Sequence, residues 1–307
     1  MQRFKTWQLF AICVGVWGTT WHAITYQLDD FSAEVGVALR FALAGASLLA
    51  LCRWRGVPLA YSLADHRALA LQGVFLYGVS YVCVYHAERF VPSGLVAVGY
   101  SASPLLAGIG AALLFGAAIS RRFVLGGVIA VCGVVVIFWT EITHASGGER
   151  AGLGALLTVA SVLLSAVGSL TASRNRRRGV ALLPALGFGM LYGAVAAGLV
   201  ALAFGRSVAL PTAPSWWLSL AYLAFAGSVL TFACLLTLQD RVGVGRAGTV
   251  GVMTPLLALL VSIAFEGLRP DALTAAGAVL TVAGNALMLS PTRSGRGSAA
   301  PAARAAE

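Results

Sequence analysis

The chain has 307 residues, of which 59% are hydrophobic and only 10% are Lys, Arg, Asp or Glu. Soluble domains carry about a quarter charged residues, so this much apolar surface needs lipid; a soluble enzyme, a disulfide scaffold and a disordered chain are excluded. The formal charge of +10 would suggest nucleic acid in a soluble domain. Here most basic residues stand in short loops between apolar runs, where lipid orientation accounts for them, and no nucleic-acid partner is expected.

A window of about 20 residues predicts ten membrane-spanning helices. They fall near 7–27, 33–52, 69–87, 92–115, 121–139, 152–172, 183–204, 216–237, 244–265 and 271–289, so the expected fold is an all-α integral membrane protein. The start, MQRFK before an apolar run, is read as part of the first helix and not as a cleaved signal, because no small-residue cleavage site precedes Asp29 and many spans follow. The loops alternate in basic charge. One set, from Arg3 and Lys5 through the run Arg174, Arg176, Arg177 and Arg178 to Arg304, holds 16 of the 21 basic residues; the other holds Arg89, Arg150, Arg206 and Arg269. The positive-inside rule then puts both termini in the cytoplasm of a bacterial inner (plasma) membrane. Asp29, Asp30, Glu34, Glu88, Glu141, Glu149, Glu266 and Asp271 fall on the opposite side. Residues 291–307, rich in Ala, Ser, Gly and Arg, read as a disordered cytoplasmic tail. Cys13, Cys52, Cys83, Cys132 and Cys234 lie in apolar segments without a pairing pattern and read as membrane packing, not as a disulfide or zinc set.

Shifting the sequence by 151 residues superposes Pro104 on Pro255, Gly94 on Gly245, Gly116 on Gly267, Gly126 on Gly277 and Gly133 on Gly284, with Leu105, Leu106 and Ala107 on Leu256, Leu257 and Ala258. Five spans per half is an odd number, so the second half enters the membrane from the opposite side. The chain thus reads as two inverted five-helix repeats, 1–145 and 146–290, followed by the tail; in such transporters the substrate site lies near the midplane between the halves. Residues 81–138 and their second copy at 243–289 resemble the paired signature of the drug/metabolite transporter superfamily, in its ten-helix EamA branch. GVWGTTW at 15–21 and LLSAVGSLTASRNRRRG at 163–179 resemble that branch's first-helix motif and sixth-helix end. One departure is Gly116-Ala117, where members often carry Gly-Glu. The resemblance implies export of small metabolites, and within the branch it is closest to the bacterial aromatic amino-acid exporter type.

The prolines carry the first site expectation. Each removes an N–H and clashes with the carbonyl four residues back, so Pro104 frees the carbonyl of Tyr100 and Pro255 that of Gly251. Two readings stand: a packing kink resolved by Ser101 or Ser103, or carbonyls on a substrate path that suit a protonated amino group. Trp17 and Trp21 lie one turn apart on the first span; Tyr77, Ser80, Tyr81 and Tyr85 share a side of the third; Tyr100, Ser103 and Pro104 form a face of the fourth. Tyr85, Trp139, Trp216 and Trp217 are expected in interfacial belts, whereas Trp17, Trp21, Tyr77, Tyr81 and Tyr100 lie deeper and are expected to line a cavity. Ser161, Ser165, Gly168 and Ser169, with Ser228, Thr231, Thr249, Met253 and Thr254, read mainly as close-packing small or hydroxylic positions. Of these, Ser165, Thr249 and Met253 join Ser101 as candidate substrate contacts.

Ionisable groups inside spans are few. Arg40 has three readings: snorkelling outward, pairing with Glu34, or lining a pathway. His22 and His86 lie toward the outer side, and no Asp or Glu is placed at the midplane. A membrane enzyme would need a nucleophile with a base, paired carboxylates or a metal cluster, and a channel a repeated filter; neither pattern is present. The expectation is a secondary transporter, not an enzyme, exporting amino acids of broad range by alternating access, as a facilitator or exchanger. Export of another metabolite such as a sugar or nucleoside is the alternative. A small-molecule substrate and the lipid bilayer are the expected partners, with no metal and no cofactor.

Overall fold

The computed structural model of the chain describes residues 4–28, 31–116, 119–144, 148–206 and 211–290. Asp29, Asp30, Ala117, the repeat boundary at 145–146 and the tail 291–307 lie outside the described residues. The helices are α1 (Thr6–Thr25), α2 (Ala33–Trp54), α3 (Leu63–Ala87), α4 (Ser93–Phe115), α5 (Arg121–His144), α6 (Gly148–Arg177), α7 (Leu182–Ala203), α8 (Pro214–Val242), α9 (Thr249–Phe265) and α10 (Ala272–Leu289), with a single turn at Val244–Ala247 before α9. No strand occurs among the described residues. Eight of these helices are long and apolar enough to cross a membrane; α9 is apolar but shorter, and α1 is diluted by Trp, Thr and His.

Several helices run past their hydrophobic windows because their ends are polar and capped. Ser62 and Asp65 close a reciprocal capping box that starts α3 at Leu63, six residues before its apolar stretch. At the other end of the bundle Ser32 caps α2 and Asp271 caps α10. The outer surface is apolar: Leu113, Leu114, Val135, Leu156, Leu202, Phe265 and Val279 are all exposed, as a helix bundle solvated by lipid requires.

With no hydrophobic drive between helices in lipid, small residues set the packing. A methyl at Gly126 of α5 would run into the Gly284 carbonyl and the Met288 backbone of α10, and one at Gly133 into the Gly277 carbonyl; the clash is mutual from the α10 side. The α5–α10 pair therefore crosses backbone against backbone. The α2–α7 pair does the same at Gly45 and Gly187.

Two helices change winding in mid-course. Val74–Val79 of α3 and Tyr222–Leu230 of α8 are π-helical, with bonds reaching five residues back. The hydroxyls of Ser228 and Thr231 donate to the carbonyls of Leu223 and Ala226 over the same five-residue interval, at 3.0 and 2.6 Å. The 151-residue shift maps 74–79 onto 225–230, inside the second segment. Such widened turns expose backbone carbonyls and are frequent at functional sites.

The paired prolines behave differently. In α4 the helix stops at Tyr100, turns through Ser101 and Ala102, and restarts at Ser103 with Pro104 in the first turn of the new segment. Pro255 stands inside α9, whose helix continues through it; the irregularity comes earlier, where the Gly251 N–H bonds the Gly248 carbonyl at 3.0 Å. Gly116 after α4 and Gly267 after α9 both take positive φ, 66° and 71°, a conformation that glycine reaches without a Cβ penalty.

Candidate functional site

The two π-helical segments and the α4 break meet in the middle of the bundle around a cavity of about 250 Å³. Trp17, Thr20, Trp21 and Ile24 of α1 form one wall. Arg40 and Phe41 of α2 and Tyr77 and Tyr81 of α3 form the next; Tyr100, Ser101, Ser103 and Pro104 of α4, Gly227, Ser228 and Phe232 of α8, and Gly251, Thr254 and Pro255 of α9 complete it. The aromatic residues brace each other edge to face: Trp21 with Tyr100 at 5.6 Å, Phe41 with Tyr81 at 4.7 Å and Trp17 with Phe232 at 5.4 Å between ring centroids. The Trp17 indole N–H donates to the Gly227 carbonyl in the widened α8 turn, at 2.9 Å. The π-winding thus satisfies a buried aromatic donor and fixes the ring.

Of the sequence candidates, Trp17, Trp21, Tyr77, Tyr81, Tyr100, Ser101, Ser103, Pro104 and Pro255 stand around this cavity. Ser80 and Ser165 stand behind it, fully buried, their hydroxyls donating to the Leu76 and Val162 carbonyls at 2.8 and 3.2 Å. They flank the Tyr100 hydroxyl. Thr249 and Met253 are exposed and outside the lining; Thr249 donates to the Arg246 carbonyl at the start of its helix. Ser101 is tied down from α10, where Asn285 Nδ2 donates to its Oγ at 3.2 Å. Tyr85 is not in an interfacial belt. It is fully buried and donates to Gln27 Oε1 at 3.0 Å. Trp216 is likewise buried, against Phe31.

Sequence reasoning under-weighted Arg40. It neither snorkels nor pairs with Glu34: it is 4% exposed and its guanidinium lies 5.1 and 5.0 Å from the ring centroids of Phe41 and Tyr81. A lone arginine beside Phe41 inside an apolar span was its local signal. Thr20, Ser228 and Thr254 were also missed as lining residues, since a hydroxyl on an apolar helix looks the same whether it packs or faces a cavity, and Phe232 reads as ordinary apolar packing. The buried amides Gln72 and Asn175, bonded at 2.9 Å, pin α3 to α6 below the site.

A second cavity of about 360 Å³ shares Tyr77, Tyr81, Tyr100 and Phe232 with the first and runs to Ser173, Arg176 and Gln239, toward the end at which α1 begins. That end is the floor. Toward the opposite end, the roof, side-chain bonds close the bundle. Glu266 after α9 accepts from the Ser93 N–H at 2.8 Å, from the Ser93 hydroxyl at 2.5 Å and from Ser262 at 2.9 Å, and meets His22 Nδ1 at 2.8 Å. One carboxylate therefore joins α1, α4 and α9. Burial by itself would raise its pKa; the hydrogen bonds from Ser93, His22 and Ser262 overcome that and hold it below the usual carboxylate range. On the other flank Glu34 meets His86 Nε2 at 2.9 Å and Arg206 Nε at 3.4 Å, joining α2, α3 and the segment after α7. Both histidines are engaged in these latches. Glu88 lies between the two clusters, under an outer pocket lined by Thr25, Leu28 and Arg89. Both its carboxylate oxygens are buried without a hydrogen-bond partner, and burial beside Glu266 pushes its pKa well above the usual range.

The EamA-like transporter family matches this chain twice, over residues 5–139 and 152–290. The chain is 30% identical over 273 residues to the uncharacterized inner membrane transporter YedA of Escherichia coli K12, covering 84% of this chain and 82% of that protein. It is 29% identical over 233 residues to the uncharacterized transporter YetK of Bacillus subtilis, covering 73% and 68%. A crystal structure 21% identical in sequence superposes over 91% of this chain and 94% of the other with a TM-score of 0.66, a likeness of fold. Matches that span nearly the whole length and recur in each half place the chain in the EamA-like transporter family: it is a membrane transporter.

Proposed function

We propose that this transporter exports amino acids, aromatic ones among them, across a bacterial inner membrane by alternating access. The observation that carries the reading is the central cavity, whose aromatic walls suit an apolar side chain, while the hydroxyl oxygens of Thr20, Ser101, Ser228 and Thr254, their protons given to helix carbonyls, can accept from an ammonium group. Counting α1 and α9 with the eight longer helices yields ten crossings, and the separate family matches over 5–139 and 152–290 support two inverted five-helix repeats. The basic loops argue that the floor is cytoplasmic. The cavity that continues toward the floor and the latched roof then describe an inward-facing state, and export would require the Glu266 and Glu34 latches to open. An inner-membrane location agrees with the relative in Escherichia coli.

The driving force we propose is the substrate's own outward gradient, by facilitated diffusion or exchange. Among the described residues no Asp or Glu lines the cavity; Glu88 stands outside the lining, at an outer pocket. Counterflow of labelled amino acids, sugars and nucleosides in proteoliposomes tests the substrate class: saturable amino-acid exchange is expected, and exchange of sugars or nucleosides alone would overturn the reading. Repeating the measurement with an imposed pH gradient tests the mechanism. Uphill accumulation that needs the gradient, and that is lost in His22→Ala or His86→Ala, would defeat facilitation.

A further inference from the structure

Arg40 is the only Lys, Arg, His, Asp or Glu among the residues lining the central cavity. It is buried in the wall, stacked by Phe41 and Tyr81, and its Nε and Nη1 have no hydrogen-bond partner. A guanidinium carries five donors in a fixed fork and keeps its charge at any physiological pH, so an unmatched one inside an apolar bundle is costly. Among the described residues, the carboxylates at the roof end make no ion pair with it. Glu34 is held by His86 and Arg206, and Glu266 by His22, Ser93 and Ser262. Glu88 makes no ion pair or hydrogen bond with Arg40, and burial pushes its pKa well above the usual carboxylate range, which disfavours its charged form as a counter-charge. The Tyr85 hydroxyl lies beside the guanidinium but is neutral, with its proton given to Gln27. The cavity wall therefore carries one guanidinium that has no ion-pair partner among the described residues, at the roof end of an aromatic box.

We propose that Arg40 is the carboxylate-recognising residue of the transport site, the solute entering from the floor with its carboxylate toward the guanidinium and its apolar part among Trp21, Tyr81 and Tyr100. This assignment rests on the amino-acid reading of the same cavity. The carboxylate supplies acceptors for the Nε and Nη1 donors that the described residues leave unmatched, in the geometry for which a guanidinium fork is suited. The frame is preorganised by the two ring stacks, so binding does not have to order the cation. On this assignment the empty site is the unfavourable electrostatic state, and a bound anion relieves it.

Quenching of intrinsic tryptophan fluorescence, with Trp17 and Trp21 in the cavity wall, reads binding directly on the purified full chain. The probes are phenylalanine, phenylalaninamide, 3-phenylpropionate, glucose and uridine. The wild type is expected to prefer phenylalanine to its amide, and Arg40→Gln to weaken phenylalanine roughly ten- to a hundredfold, as loss of a charge-assisted hydrogen-bonded contact implies. The amide should bind the variant as it binds the wild type, which a merely structural role for Arg40 would not produce. Arg40→Lys, keeping charge without the fork, should fall between. If Arg40→Gln and Arg40→Lys keep the wild-type preference, the assignment is wrong while amino-acid export stands. Equal wild-type affinity for phenylalanine and its amide overturns it without any variant. Binding of glucose or uridine with none of the carboxylates sinks both readings. If 3-phenylpropionate binds as tightly as phenylalanine and loses that affinity in Arg40→Gln, the role of Arg40 stands and the amino-acid reading falls.

Discussion

Trp21 and Tyr81 both line the cavity, Trp21 braced against Tyr100 and Tyr81 against Phe41 and the Arg40 guanidinium. Removing either ring leaves the helix contacts below it intact while deleting an aromatic wall. Trp21→Ala and Tyr81→Ala are expected to insert and fold normally and to lower apparent substrate affinity roughly tenfold, the scale of one or two aromatic contacts. Expression level and counterflow measured together check this, and normal transport by both variants would show that the cavity is not the transport site. Glu266 makes a separate residue-scale statement. Its folded-state pKa is depressed, so the stability it contributes is fully present above the ordinary carboxylate value of 4.5 and is lost as pH falls through the lowered value. Thermal melting of the purified protein against pH should show that acid-side loss, and Glu266→Gln should be less stable at neutral pH and lack the same step. Identical profiles for the two proteins would remove the latch role.

At the scale of elements, glycine contacts replace the hydrophobic effect as the cause of helix pairing. The backbone of α5 lies against that of α10 at Gly126, Gly133, Gly277 and Gly284, with no space for a side chain. Gly133→Val is expected to force the pair apart and cost about 1–3 kcal/mol, as overpacking does, whereas the same change at Gly198, which meets nothing nearby, should be near neutral. Melting temperatures of the two variants in detergent compare them directly. These glycines were visible beforehand as a matched set in the two halves; that they touch each other was not, because a repeat aligns positions in sequence and says nothing of which equivalents meet. The π turns in α3 and α8 were not visible at all. Their sequences, VFLYGV and YLAFAGSVL, read as ordinary apolar helix. The α3 segment is closely flanked: a methyl at Gly193 would meet the Tyr77 side chain and the Gly73 carbonyl, and Gly168 sits against the backbone of Leu76.

For the whole molecule, orientation is the open physical quantity, and the basic loops predict it. A reporter fused after Ser290 should be active only in its cytoplasmic form, since 16 basic loop residues oppose four. Strong periplasmic activity would mean a miscounted crossing and would undo the inverted repeat. What the sequence determined by itself was the class of molecule: apolar runs of membrane length, a doubled motif, and aromatic stripes at helical spacing follow from composition and period, which need no knowledge of neighbours. It also pointed to the aromatic part of the cavity wall, because Trp17, Trp21, Tyr77, Tyr81 and Tyr100 are too polar at one end to sit deep in lipid without a wet or bonded partner. Tertiary structure alone decided the charges. Whether Arg40 meets Glu34 or faces a cavity, whether His22 and His86 are free or latched, and whether Glu88 is exposed or buried all depend on which helices come together across the bundle. Electrostatic energies change severalfold with a few ångströms of separation and with exclusion of water, and neither quantity is written in the spacing of residues along one chain.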